Sequence, residues 1–296
     1  MRILTKSSST GRFAPSPTGP LHLGSLAAAV ASWLYARAAN GRWLVRIEDI
    51  DTPRVVPGSA EEILSALQRY GLEWDGEVVW QSRRTARYEA ALQRLRDAGR
   101  VYDCACSRAD LQRAASAPLG AEAVYPGTCR DGLPAGKAAR AIRFRVPDEV
   151  IAFDDLLRGC VEEHVPSHTG DFVVRRADGL FAYQLAVVVD DAEQGVTQVV
   201  RGIDLLGSTA RQIALQRALG YPTPVYAHIP LVTNPDGSKL GKRDGSLPLP
   251  TLDDARVRET LAAALRHLGY DVAEDHPRAM LGEALRLHVA LDEEQR

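Results

Sequence analysis

The sequence predicts an α/β protein. Its frame is a doubly wound parallel sheet, with an inserted cysteine-bearing subdomain and a short helical C-terminal segment. Three observations predict this. Apolar runs of strand length alternate with stretches of helical periodicity from Gly11 onward. Loops rich in proline and glycine separate them. One region, 101–175, breaks the pattern and holds all four cysteines.

The elements follow in order. Residues 11–14 (GRFA) read as a short buried strand, stopped by Pro15-Ser16-Pro17-Thr18-Gly19-Pro20. From about Ser25 an alanine-rich helix runs to Asn40-Gly41, with side chains small enough to lie close on a sheet. Trp43 to Ile47 is an apolar strand, followed by the acidic turn Glu48-Asp49-Ile50-Asp51. Helical periodicity returns at 60–70 and 84–98. These residues, 11–100, make the first half of the sheet domain. The insertion, 101–175, contains a loose Ala/Pro/Gly stretch (114–139) and strand candidates at 140–146, 150–154 and 160–165. The second half, 176–250, brings a helix at 183–191, a strand at 196–201, a helix to Leu219 and a strand at 226–232. Asn234-Pro235-Asp236-Gly237 is a turn signal, and the basic loop SKLGKRDG follows. Two amphipathic helices, 253–268 and 277–287, fill 251–296.

Composition bounds the function. The chain has 296 residues, 45% hydrophobic and 25% charged, which excludes disordered, collagen-like and coiled-coil classes. The net charge of −2 gives no global sign of nucleic-acid binding. The apolar stretch Leu26–Ala36 is interrupted by Ser32 and is too short for a bilayer. The first ten residues are polar, read as a disordered tail, and lack the apolar core of a secretory signal. The expectation is a cytoplasmic monomer. Four cysteines in so long a chain do not make a disulfide scaffold, and a Cys-x-Cys pair points to a metal in a reducing compartment.

Two segments carry candidate chemistry. In Pro15–Ser25 (PSPTGPLHLGS), His22 and Gly24 stand at a helix entry just after a strand. Backbone N–H groups there attract anions, glycine admits a ligand close to the backbone, and a histidine can donate to a phosphate oxygen. Alone, such a histidine is more often a helix cap. In Lys239-Leu240-Gly241-Lys242-Arg243, three cations within five residues suit a triphosphate. Alone, that loop is more often a solvated turn.

Together these segments resemble the paired signatures of class I aminoacyl-tRNA synthetases, the HIGH motif and the KMSKS motif. RFAPSPTG before His22 and RIEDIDTPR at 46–54 are similar to the glutamyl branch specifically. Within that branch the chain resembles the short glutamyl-Q tRNA(Asp) synthetase family. Full glutamyl-tRNA synthetases continue past this loop into anticodon-reading helical domains, whereas here the sequence runs only from Asp244 to Arg296. The resemblance implies a class I Rossmann-type catalytic domain. It also implies an ATP-dependent ligase that forms glutamyl-adenylate without tRNA, then transfers glutamate to queuosine at the wobble position of tRNA(Asp). His22 and Lys242 would be catalytic. His22, Gly24, Ser25, Lys239, Lys242 and Arg243 would hold ATP with Mg²⁺. Arg12 and Tyr183 would meet the side-chain carboxylate of L-glutamate, Glu48 its ammonium and Arg201 its α-carboxylate, with Ala14 and Ser16 beside them. Two departures stand out. Gly241 replaces a serine of the KMSKS motif, and Ser25 replaces the final histidine of HIGH.

Cys104-Ala105-Cys106 and Tyr125-Pro126-Gly127-Thr128-Cys129 form a CxC…YxxxC pattern. Closely spaced thiolates favour tetrahedral zinc, one structural ion closing the insertion. Three cysteines leave one ligand to find, and the resemblance supplies Tyr125. The residues alone also admit Cys160 with His164 and His168, although side chains at that spacing on a strand scatter over both faces. Lys137, Arg140, Arg143 and Arg145, and separately Arg83, Arg84 and Arg87, form basic runs that suit tRNA phosphates or a solvated face equally. Three rival readings stay open: a glutamyl-tRNA synthetase fragment charging the tRNA 3′ end, a HIGH-type nucleotidyltransferase acting on a small molecule, and a non-catalytic binding module.

Overall fold

The structure, a computed structural model, describes residues 9–107, 109–110, 124–232 and 253–294. Among these, ten strands form two sheets. The strands are β1 (Thr10–Phe13), β2 (Arg42–Ile47), β3 (Val79–Trp80), β4 (Val101–Cys104), β5 (Ala141–Phe144), β6 (Val150–Asp155), β7 (Gly159–His164), β8 (Phe172–Arg175), β9 (Gln198–Gly202) and β10 (Val225–Ile229). The seven-stranded sheet runs β3-β2-β1-β9-β10-β6-β7. Its pairs are parallel except the β6–β7 hairpin at one edge. A small antiparallel sheet, β4-β5-β8, stands apart.

Helices cover both faces of the large sheet, as a parallel sheet requires. On one face lie α1 (Leu23–Ala38), α2 (Ser59–Arg69), and the C-terminal pair α6 (Asp254–His267) and α7 (Pro277–Glu294). On the other lie α3 (Thr85–Asp97), α4 (Tyr183–Glu193) and α5 (Leu206–Leu219). Each face has its own buried core. Leu26, Val30, Leu34, Trp43, Leu261 and Leu281 belong to the first, and Tyr88, Leu92, Leu185, Val188 and Ile213 to the second.

The small side chains of α1 have a definite use. A Cβ on Gly11 of β1 would stand 3.1 Å from Ala36 Cβ, so the helix rests directly on the strand. The helix is pinned by Trp43, whose indole donates to Ser32 Oγ at 2.9 Å and whose ring stacks on Phe13. It ends at Ala38, and Asn40 takes the left-handed conformation (φ 52°) that turns the chain into β2.

Several elements differ from the sequence expectation. β3, β4 and β8 are two to four residues long and were not foreseen as strands, because runs that short carry little periodicity. The strands within 101–175 divide between the sheets. β5 pairs with β4 and β8, whereas β6 and β7 extend the large sheet through the Asp155–Tyr226 register of β6 on β10. α7 continues to Glu294, beyond the expected stop at Leu287. Among the described residues, no helix is long and apolar enough to cross a membrane.

Candidate active site and metal centre

The strand order reverses between β1 and β9, where the chain leaves for opposite sides of the sheet. Loops after those strands must diverge, and the crevice between them is where doubly wound sheets bind ligands. A cavity of about 320 Å³ opens there. Arg12, Ala14, Ser16, His22, Gly24, Ser25, Glu48, Tyr183 and Arg201 all line it. The sequence-derived candidates within the described residues are thus brought together, from β1, its following loop, α1, the end of β2, the start of α4 and β9. Lys239, Lys242 and Arg243 lie outside the described residues.

The proline-rich loop is held in an extended form. Pro15 O accepts from Glu48 N at 2.9 Å, Pro17 O accepts from Val56 N at 2.9 Å, and Ser59 Oγ donates to Gly19 O at 2.7 Å. His22 then caps α1, its Nδ1 accepting from Ser25 N at 3.3 Å. Capping leaves the imidazole at the cavity wall.

Behind the cavity runs an alternating chain of buried charges. Arg12 Nε donates to Asp191 Oδ1 at 3.2 Å. Arg46 Nη1 donates to the same oxygen at 2.7 Å, and Arg46 Nη2 to Glu48 Oε1 at 3.1 Å. Burial opposes charge on Arg46, but Asp191, Glu48 and Asp190 together hold the guanidinium firmly protonated. The same burial opposes charge on Asp191, and Arg12 and Arg46 overcome it, keeping the carboxyl below its usual range. Glu48 goes the other way. Burial raises its pKa despite Arg46 and Arg12, so its carboxylate gains from a further cation. Arg201 is equally fixed: Nη1 donates to Gln212 Oε1 and Nη2 to Thr209 Oγ1, both at 2.8 Å, and Nε to His228 Nε2 at 3.0 Å.

A second constellation lies beside the small sheet. The Sγ atoms of Cys104, Cys106 and Cys129 are within 4.8 Å of one another. Cys106 Sγ and Cys129 Sγ are 3.7 Å apart, and Tyr125 Oη is 3.5 Å from Cys104 Sγ and 3.8 Å from Cys106 Sγ. Zn–S bonds of about 2.3 Å at tetrahedral angles put sulfurs about 3.8 Å apart, and the Cys106–Cys129 separation matches such an edge. Gly170 makes room for the loop: at φ 68°, a Cβ there would stand 2.7 Å from Tyr125 O. Cys160 is exposed. His164 contacts Asp148 and Ser167, and His168 contacts the His164 carbonyl, so among the described residues these three form no donor cluster.

Residues 9–285 match the family described as tRNA synthetases class I (E and Q), catalytic domain. The chain belongs to this family. It is therefore a class I synthetase-type ligase, and its mostly parallel sheet is the Rossmann-like domain of that class. A Geobacter sulfurreducens protein named glutamyl-Q tRNA(Asp) synthetase is 61% identical over 264 residues, covering 88% of this chain and 84% of that one. An Aromatoleum aromaticum protein of the same name is 56% identical, covering 92% and 85%. A glutamate tRNA ligase from Elizabethkingia meningosepticum, solved with its amino acid, superposes with a TM-score of 0.72 at 32% identity. That match covers 81% of this chain, which spans about half (53%) of the ligase.

For a class I synthetase, sequence reasoning overlooked the buried partners Arg46, Asp155, Asp191, Thr209, Gln212 and His228. A signal was present: Arg46 interrupts the apolar strand RWLVRI, Asp190-Asp191 ends the run AVVVDD, and His228 sits in VYAHI. A charge within a buried run must find a partner. The basic runs look different in three dimensions. Arg143 is buried, donating to Cys104 Sγ at 3.3 Å and covering the Tyr125 ring at 3.8 Å. Arg84 is committed to Asp190 and Glu193, both at 2.6 Å. Lys137 and Arg140 are exposed.

Proposed function

We propose that this chain activates L-glutamate with ATP in the absence of tRNA, then transfers the glutamyl group to queuosine at the wobble position of tRNA(Asp). One observation carries the reading: a switch-point cavity that presents Arg12, Glu48, Tyr183 and Arg201 to the same space as His22. Two carboxylates and one ammonium require that combination of two fixed cations and an anion. The names of the similar proteins support the acceptor.

In the first step a glutamate α-carboxylate oxygen attacks the α-phosphorus of ATP. The bond from that phosphorus to the bridging oxygen breaks, and pyrophosphate leaves. Glu48 receives the ammonium, Arg12 and Tyr183 the side-chain carboxylate, and Arg201 the α-carboxylate. His22, with the backbone at Gly24 and Ser25, meets phosphate oxygens at the start of α1. Lys239, Lys242 and Arg243 neutralise charge moving onto pyrophosphate, and Mg²⁺ supplies further neutralisation when bound. No protein nucleophile is required, because positioning and charge neutralisation carry the step. In the second step a hydroxyl of the queuosine cyclopentenediol attacks the activated carbonyl. AMP leaves, and the hydroxyl proton is lost. Zinc held by Cys104, Cys106, Cys129 and Tyr125 would be structural, since four protein donors leave no open position.

The test is glutamate-dependent pyrophosphate exchange without tRNA, followed by transfer of labelled glutamate to tRNA(Asp) with and without queuosine. Exchange without tRNA and label confined to queuosine-bearing tRNA are the expected results. Label on queuosine-free tRNA, or exchange that requires tRNA, would overturn the reading.

A further inference from the structure

We propose that His228, held in one tautomer by Asp155, is the positioning residue that aims Arg201 at the amino acid. The inference rests on the reading of Arg201 as the cation for the α-carboxylate. The sheet register creates the pair: His228 of β10 stands directly beside Arg201 of β9, on the same face. His228 is fully buried. Its Nε2 lies 3.0 Å from Arg201 Nε, and a guanidinium has only hydrogens to offer. Nε2 is therefore the acceptor, and the imidazole proton belongs on Nδ1.

Asp155 enforces that choice. Its Oδ2 stands 2.5 Å from His228 Nδ1, and its Oδ1 accepts from His228 N at 3.2 Å. Oδ1 also accepts from Leu157 N at 3.0 Å and Arg158 N at 3.1 Å, so the carboxylate is fixed by the turn between β6 and β7. A proton on Nε2 instead would set donor against donor at Arg201. The relay thus fixes the Nε edge of the guanidinium. Gln212, Thr209 and the Leu205 carbonyl fix its Nη atoms, and the Tyr226 ring lies 5.5 Å from its centre. Without His228 the Nε edge of the fork loses its acceptor while the Nη bonds remain, and the one N–H they leave for the α-carboxylate, on Nη1, is misaligned.

The experiment compares His228→Asn, His228→Gln, Asp155→Asn and Arg201→Lys in the full chain. Readouts are KM for glutamate and for ATP in tRNA-free pyrophosphate exchange, and Ki for 4-aminobutyrate. That inhibitor keeps the ammonium and the distal carboxylate and lacks the α-carboxylate. His228→Asn removes the acceptor from the Nε2 position, and His228→Gln returns an amide oxygen to it. A hydrogen bond to a charged group corresponds to roughly a tenfold to hundredfold change. The expected result for His228→Asn is a rise in glutamate KM of that size, with ATP KM and 4-aminobutyrate Ki unchanged. His228→Gln should recover to within about threefold of wild type, on the same hydrogen-bond reasoning. Asp155→Asn permits the Nε2–H tautomer and should reproduce the His228→Asn pattern, which covers the case in which His228→Asn fails to fold. A glutamate KM unchanged in both variants while Arg201→Lys raises it overturns the relay and leaves the role of Arg201 standing. A glutamate KM unchanged in Arg201→Lys overturns both. Equal losses for glutamate, ATP and 4-aminobutyrate mark a merely structural role and also overturn the relay.

Discussion

Asp191→Asn tests the buried charge chain behind the cavity. The Asp191 side chain is 9% exposed and shares one oxygen between Arg12 and Arg46, whose side chains are 4% and 0% exposed. Asparagine keeps an acceptor oxygen and nearly the same shape, so the change removes charge rather than packing. Arg46 retains Glu48 at 3.1 Å, with Asp190 at 3.8 Å. Arg12 loses its carboxylate partner inside the protein. Removing one member of a buried ion pair costs about 3–5 kcal/mol, and the partner kept by Arg46 places this case near the lower bound, about 3 kcal/mol. At roughly 2–4 °C per kcal/mol for a large domain, melting falls by about 6–12 °C. The pH dependence has a fixed sign. A carboxyl whose pKa is lowered in the folded state contributes stability that is full above the unfolded pKa of about 3.9 and lost as pH falls through the folded value. The gap between wild type and variant is therefore widest at neutral pH and narrows in acid. Calorimetry from pH 3 to 8 measures it. A gap under about 1 kcal/mol at pH 7, or one that does not narrow on acidification, would refute the reasoning.

Glu48→Gln should separate stability from activity. Burial raises the Glu48 pKa, so the stability linked to its titration is full below the unfolded pKa and lost as pH rises through the folded one. The variant is expected to melt no lower than wild type at pH 8 while glutamate activation falls roughly a hundredfold, and a lower melting point would show that the carboxylate is needed by Arg46. On the proposed zinc assignment, elemental analysis of the purified proteins should find about one zinc per chain in wild type and near none in Cys106→Ser. Gly170→Ala should cost about 2 kcal/mol, from left-handed strain and the 2.7 Å approach to Tyr125 O, and should weaken zinc retention against a chelator; an unchanged melting point would show that the loop yields freely.

The parts of the site that sequence brought within reach are those coded locally. Proline and glycine spacing marks the loop after β1, and His22 stands at a helix start whose cap is visible as HLGS. Cys104 and Cys106 mark a thiol pair by adjacency, and the fold brings Cys129 within reach of both. The remainder is coded at long range. Asp191 meets Arg12 across 179 residues, and His228 meets Asp155 across 73. No periodicity relates such positions, since only the parallel register and the switch in strand order make them neighbours. Arg143 misled for the same reason. In sequence it joins a basic run suited to phosphates, whereas in the fold β5 is the central strand of the small sheet and turns that guanidinium onto Cys104 and Tyr125.

Long-range coding also bears on how the amino-acid pocket works. Arg12 and Arg201 are the two cations assigned to the substrate carboxylates. Each is already held by acceptors from the sheet and from α4 or α5: Asp191 for Arg12; Gln212, Thr209 and His228 for Arg201. Ordering a flexible arginine fork at the moment of binding costs about 0.5–1.5 kcal/mol per side chain, and here folding has already met that cost. The acceptors belong to strands and helices buried in the two cores rather than to surface loops that a partner would have to order. A pocket assembled in this way has both arginines ordered with no macromolecule bound. That is the physical basis of the tRNA-independent activation proposed above, and it locates any dependence on tRNA in the second step, where the acceptor hydroxyl must reach the activated carbonyl.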